Sequence, residues 1–265
     1  MIGWFWTWGR SVDYPMTPAT ISAIKPTLTT VLPEAVNRTD PVLIPATKWP
    51  AIRRRAQSPA WHAAMQQLRE DVADLLAQPW DVPTAPAGHF HQYFCPDHGV
   101  KLAFDPQSPT VHRCPVDGAV LRGQTYDDAW RWFVNNRLSQ GALQLAMLWQ
   151  LEGNPAHAAR VVDILKSYAN HYTGYQTFPR RNPRPGIATF QALDEAVWLI
   201  PLAWAFDLTR DWMMAADAQT IIQQLLLPAA NFLIERHPRR IHNYSCWHNA
   251  AIATVGVVTE RRDLV

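Results

Sequence analysis

Residues 243–258 read NYSCWHNAAIATVGVV. The second half is small and apolar, as a packing helix requires. The first half carries Asn243, Tyr244, Trp247, His248 and Asn249, five side chains that hydrogen-bond or stack. Asn249 can donate two hydrogen bonds to a carboxylate; His248 can donate one, or two when protonated. In the first turn of a helix these side chains would add to free backbone amides and to the helix dipole, both of which favour an anion. The chemistry that fits is recognition of a carboxylate. The structural alternative is that His248 is a buried polar anchor.

Two loops carry a related chemistry. TGYQTFPRRNPRPGIA holds Arg180, Arg181 and Arg184 with Tyr175 and Phe178. HPRRIHNYS holds His237, Arg239, Arg240 and His242, with Arg236 just before it and Tyr244 at its end. Clustered guanidinium groups grip carboxylate or sulfate with paired hydrogen bonds, and aromatic faces suit sugar rings. Solvated loop charge is the plain alternative. Gln191 and Glu195 stand four apart, so they share one helix face. That face either lines a groove or holds a helix–helix hydrogen bond.

A further constellation lies upstream. Cys95-x2-His98 and Cys114-x2-Asp117 are two knuckles with fifteen residues between them. The spacing is that of a zinc ribbon, with Asp117 where a fourth Cys or His would stand. A Cys95–Cys114 disulfide and two plain buried thiols are the other readings.

These residues need elements to position them. From Asp127 onward the pattern is helical. One helix is expected to stop at Gly153, and the next to start at Asn154-Pro155. In TFQALDEAVWLIPLAWAFDLT, residues Leu193, Val197, Ile200, Trp204 and Leu208 recur at steps of three and four, which predicts a buried stripe. Pro201 and Pro228 fall inside apolar helical patterns and should bend them. Helix-joining segments alternate between short (EGN, TRDWM) and long, so the two long basic loops should gather at one end of a stack of antiparallel hairpins. Upstream, residues 1–46 read as an extended arm or linker. Residues 47–125 read as short helices plus a Cys/His-containing irregular segment. There Ser58-Pro59 should start a helix, and HFHQYF and VKLAF should form short strands. The fold class expected is mostly α.

Composition narrows the function. The chain has 265 residues, is 48% hydrophobic and 17% charged, and has a net charge of +2. A polyanion-binding field over the whole molecule is excluded, and no nucleic-acid partner is expected. No stretch reaches the roughly 18 apolar residues of a membrane span. The aromatic start MIGWFWTWGRSVDYPM lacks the basic region and cleavage site of a signal peptide. Three cysteines do not make a disulfide scaffold. The closing residues TVGVVTERRDLV repeat the end of one helix and the first turn of another. This predicts that further chain or a partner would cover the last apolar face.

YDDAWRWFVNNRLSQGALQLAMLWQLEGNPAHAARVVDILKSYA, FQALDEAVWLIPLAWAFDL and NYSCWHNAAI together resemble the amino-terminal helical domain of heparinase II/III-like polysaccharide lyases. HQYFCPDHGVKLAFDPQSPTVHRCPVDG resembles the stretch preceding that domain in some members. The resemblance covers roughly residues 88–265. It implies a partial (α/α) toroid over 126–265 of antiparallel helical hairpins, truncated before an antiparallel β-sandwich domain. It implies a periplasmic or secreted enzyme acting on an anionic polysaccharide. Such enzymes cleave uronic-acid polymers by β-elimination and need no cofactor for the chemistry. His248 and Asn249 match the family's carboxylate-neutralising motif, although Trp247 stands where some members carry Asn. Gln191, Glu195, Asn243, Tyr244, Trp247, Arg184 and Arg240 would line the substrate groove. The family's catalytic tyrosine and second histidine would lie beyond Val265.

Two other classes remain. GNPAHAARVVDIL looks like a tetratricopeptide turn and helix, which would make a protein-interaction module. A toroid glycoside hydrolase would need two carboxylic acids on a groove, and Asp194, Glu195 and Asp207 are the candidates.

Overall fold

The computed structural model describes residues 41–78, 80–175, 185–238 and 240–265. Arg180, Arg181, Arg184, Phe178, Arg239 and the arm before residue 41 lie outside the described residues. The described part is mostly helical, with one two-stranded β-pair. None of its helices is long and apolar enough to cross a membrane.

Three short helices come first: α1 (Trp49–Ala56), α2 (His62–Glu70) and α3 (Ala73–Ala77). Ser58 does not cap a helix through its side chain. Its hydroxyl donates back to Arg55 O at 2.7 Å, and Pro59 opens a single 3-10 turn before α2. The expected strands in HFHQYF and VKLAF are absent as well. Phe90–Gln92 is a 3-10 turn, and only isolated bridges form at Phe94–Lys101 and Ala103–Arg113. The β-pair is β1 (His112–Arg113) with β2 (Val120–Leu121), antiparallel around the second Cys knuckle. Each knuckle turns the chain back after a few residues, leaving length for a two-residue strand at most.

Five long elements follow. α4 (Gln124–Glu152) ends at Gly153 in the left-handed conformation, φ 72°. α5 (Pro155–His171) starts at once, with Asn154 Oδ1 accepting from Ala156 N at 3.1 Å and Pro155 in the first turn. This is the stop-and-start that the local residues predict. α6 (Ala192–Leu208) contains Pro201. Next, α7 (Ala215–Ile221), a π turn (Ile222–Leu226) and α8 (Leu227–Glu235) make one continuous rod. Pro228 has no N–H to give the carbonyl of Gln224, and the wider turn sits where that bond is missing. α9 (Asn243–Val258) closes the series.

α4 packs on α6 and α6 on α9, so alternate helices stand side by side in one row. α5 and the α7–α8 rod form a second row behind them. The core between the rows includes Leu138, Leu145, Leu165, Leu199, Phe206, Leu225, Leu233 and Val255, all fully buried. Each contributes on the order of 1.5–3 kcal/mol by leaving water.

The stripe expected on α6 is not its most buried face. Leu193, Val197, Ile200 and Trp204 are partly exposed, whereas Ala196, Trp198, Leu199, Leu202, Ala203 and Phe206 are buried. α6 touches neighbours from both rows, and a helix enclosed in this way is apolar nearly all round. Its far end is tied to the amino-terminal segment. Asp207 accepts from Val42 N (2.9 Å to Oδ1) and Leu43 N (2.9 Å to Oδ2). The starts of α4, α6 and α9 at Gln124, Ala192 and Asn243 are far wider apart than a tetratricopeptide repeat of roughly 34 residues.

Candidate active site

The first turns of α6 and α9 meet. Tyr244 Oη donates to Gln191 Oε1 at 2.7 Å, joining residues 53 apart in sequence. The ends of the two long returns, at Gln191 and Tyr244, therefore meet where these two helices start. His242 has an extended backbone (φ −159°, ψ 156°) and caps α9: its Nδ1 accepts from Tyr244 N at 3.2 Å. Asn243 Oδ1 accepts from the same N–H at 3.0 Å.

His248 is one turn further in and fully buried. Its Nδ1 lies 3.2 Å from Leu233 O. A carbonyl only accepts, so Nδ1 carries a proton, and Nε2 becomes a donor only in the imidazolium. The rings of His237 and Tyr244 flank it at 5.8 and 6.1 Å. Asn249 is exposed, and its Oδ1 accepts from His237 Nε2 at 2.8 Å. With its oxygen engaged, the amide offers its N–H groups. Trp247 is 43% exposed beside it. Arg240 is exposed on the same loop, with its carbonyl accepting from Ser245 Oγ at 2.7 Å.

Glu195 is placed differently from Gln191. It is fully buried and accepts from the backbone N–H groups of Ile187 (3.1 Å), Ala188 (3.2 Å) and Thr189 (3.0 Å), and from Thr189 Oγ1 (2.8 Å). Burial raises its pKa, against the pull of Ala188, Thr189 and Tyr172, which donate to the carboxylate. Its geometry is that of a brace for the loop 186–190. The brace also requires glycine at 186, where a Cβ would lie 2.4 Å from Thr189 O and 2.8 Å from Glu195 Oε2. Asn135 Nδ2 holds the same loop through Ala188 O at 3.1 Å.

Asp194, beside Glu195, accepts from Gln191 Nε2 at 3.1 Å. Burial pushes its pKa up to about 6, against the lowering effects of Gln191 and Trp132. Asp207 is engaged about 20 Å away along the same helix. The three acids of α6 therefore do not form a facing pair, which removes the basis for a glycoside hydrolase on this helix.

A wall of rings escaped the sequence reading. Phe90 packs on Trp132 at 4.7 Å, and His89 meets Phe190 edge-on at 5.0 Å. Burial, and then the charge of His91, lower the pKa of His89. Phe190 precedes Gln191, so the wall continues into the α6–α9 junction. The paired histidines of HFHQYF were the available signal.

Upstream, Cys95, His98 and Cys114 come together, with Asp117 beside His98. The cysteines are free thiols, so the disulfide reading is not realised.

No family model matches the chain. It is 31% identical over 134 residues to an alginate lyase from Stenotrophomonas maltophilia (strain K279a), covering 49% of this chain and 18% of that protein. It is 33% identical over 122 residues to an exo-oligoalginate lyase from Saccharophagus degradans (strain 2-40), covering 44% of this chain and 17% of that protein. This chain is similar to alginate lyases. The match spans less than a fifth of the length of each of these curated relatives.

Proposed function

We propose that the chain is the helical part of a polysaccharide lyase that cleaves an alginate-class polyuronate by β-elimination. On this reading the two rows of helices are an arc of an (α/α) toroid, and the α6–α9 junction lies in its substrate groove. The observation that supports the reading is the Tyr244–Gln191 bond, which joins the starts of α6 and α9, the stretches that carry Phe190, His248 and Asn249. The likeness to two alginate lyases supports the choice of substrate class.

The chemistry asks for such a face. The C5 proton of a uronate is weakly acidic because the adjacent carboxylate resists a second negative charge. Hydrogen bonds and positive charge at that carboxylate stabilise the enolate that forms when the proton leaves. Asn249 donates its amide N–H groups, and His248, held through Nδ1 on Leu233 O, stands beside it in the chain. Arg240 supplies positive charge at the rim. The ring wall with Gln191, Tyr244 and Trp247 holds the sugar. The chain's share of the mechanism is therefore neutralisation and positioning; proton transfer at C5 is assigned to the tyrosine that the resembled family carries further along its sequence.

The test is ultraviolet absorbance of the unsaturated uronate released from alginate, compared with heparan sulfate and neutral glucan. Signal on alginate that disappears in His248→Ala is expected. Signal on the neutral glucan, or full activity in His248→Ala, would refute the assignment.

A further inference from the structure

We propose that Cys95, His98, Cys114 and Asp117 bind one zinc ion, which fastens residues 86–122 to the start of α4. The proposal is independent of the lyase reading.

Three of the four donor atoms are already in place. Cys95 Sγ and Cys114 Sγ each lie 3.5 Å from His98 Nδ1, and the three atoms all fall within 4.8 Å of one another. A tetrahedral zinc with sulfur at about 2.3 Å and nitrogen at about 2.0–2.1 Å sets sulfur and nitrogen about 3.5 Å apart. The spacing in this cluster matches that edge.

The fourth corner follows from an internal repeat. CPDHG and CPVDG fold the same way. Cys95 N donates to Val100 O (2.8 Å) and Gly99 N to Cys95 O (2.9 Å). Cys114 N donates to Ala119 O (2.9 Å) and Gly118 N to Cys114 O (2.9 Å). Gly99 and Gly118 both take positive φ, 62° and 74°. The repeat equates Asp117 with His98, and Asp117 Oδ2 lies 3.9 Å from His98 Nδ1. Two thiolates select a soft metal over calcium or magnesium, and thiolate, imidazole and carboxylate in a tetrahedron suit zinc.

The segment also has a need for the ion. Its β-pair is two residues long on each strand. Its two cysteines are buried, while most of the residues around them in both knuckles are exposed. A metal can supply folding energy to a segment this small. From the knuckles the hold passes inward: His112 is clasped between Tyr93 Oη (2.9 Å) and Asp127 Oδ1 (2.9 Å), and Trp130 Nε1 donates to Asp105 O (2.8 Å). Asp127 and Trp130 belong to the first two turns of α4, beside the Trp132 of the ring wall.

The experiment is metal analysis of the whole chain, purified with a thiol reductant from zinc-supplemented culture, followed by cobalt replacement. One zinc per chain is expected, released when the thiols are titrated with an organomercurial. The cobalt form should show the visible bands of a tetrahedral site and a thiolate charge-transfer band. Cys114→Ser should lose the metal, and Cys246→Ser should keep it. Asp117→Asn, on an exposed turn that should fold regardless, should weaken zinc binding by about tenfold or more and shift the cobalt bands. Zinc-free chain with free or disulfide-linked cysteines would overturn the proposal. So would full zinc affinity with an unchanged cobalt spectrum in Asp117→Asn.

Discussion

The starts of α6 and α9 are both polar and use their side chains in opposite ways. α6 opens with Gln191, Asp194 and Glu195; α9 opens with Asn243, Tyr244, His248 and Asn249. In α6 the longest acid turns inward, and its oxygens are taken up by the loop 186–190. In α9 the buried histidine uses one ring nitrogen on Leu233 O, and the neighbouring Asn249 stays in solvent. The contrast teaches that a polar helix start is sealed as a brace or left open to solvent according to whether a loop folds back over it. Residue type differs as well: α6 opens with two carboxylates, and α9 opens with none.

The largest effect expected from breaking this contrast is at Glu195. Glu195→Ala removes the acceptor of three backbone N–H groups at once and should cost about 3 kcal/mol or more of stability in urea unfolding. A loss under about 1 kcal/mol would mean that the brace is not needed. Next is the pH dependence of Asp194. Its folded pKa of about 6 lies above its ordinary value of 3.8. A raised folded pKa gives stability that is complete below the ordinary value and lost as pH rises through the folded one. The chain should therefore lose on the order of 2–3 kcal/mol from this group between about pH 4 and 6, and Asp194→Asn should flatten that slope.

Smaller effects fall on the α9 side, in binding and in stability. Asn249→Asp sets a negative charge against a uronate. It should weaken oligoalginate binding about tenfold, equivalent to roughly 1.4 kcal/mol, while stability stays within about 0.5 kcal/mol. Unchanged binding by calorimetry would place the carboxylate elsewhere. Tyr244→Phe removes the bond to Gln191 and should lower stability by about 1 kcal/mol. A thermal midpoint equal to that of the parent would show the junction to be held by other contacts.

What the sequence conveyed depended on the range of the interaction. The boundary at Gly153, Asn154 and Pro155 is local chemistry, and it stands as read. The polar start of α9 was legible because five polar or aromatic side chains ahead of an apolar run form a local anomaly. The burial of α6 was misjudged because a stripe at helical spacing names one apolar face. The enclosure of this helix by both rows is a tertiary fact. The strands expected around HFHQYF and VKLAF gave way to knuckles, whose geometry follows from Cys-Pro-x-x-Gly repeats rather than from apolar alternation. Glu195's role was hidden because its partners Ile187, Ala188 and Thr189 are a loop folded back by contacts with Asn135 and Ala87. The ring wall was hidden for the same reason: Phe90, Trp132 and Phe190 come from three separate segments.

The central claim is that the start of α9 meets a sugar carboxylate. The most direct measurement is a calorimetric cycle crossing ligand with protein: oligoalginate and its carboxyl-reduced counterpart, each titrated into the parent chain and into a His248→Ala/Asn249→Ala variant whose helicity matches the parent. The account predicts that the variant loses at least about tenfold in affinity for the uronate, roughly 1.4 kcal/mol, and almost nothing for the reduced sugar. Equal losses for both ligands, or none for the uronate, would contradict it.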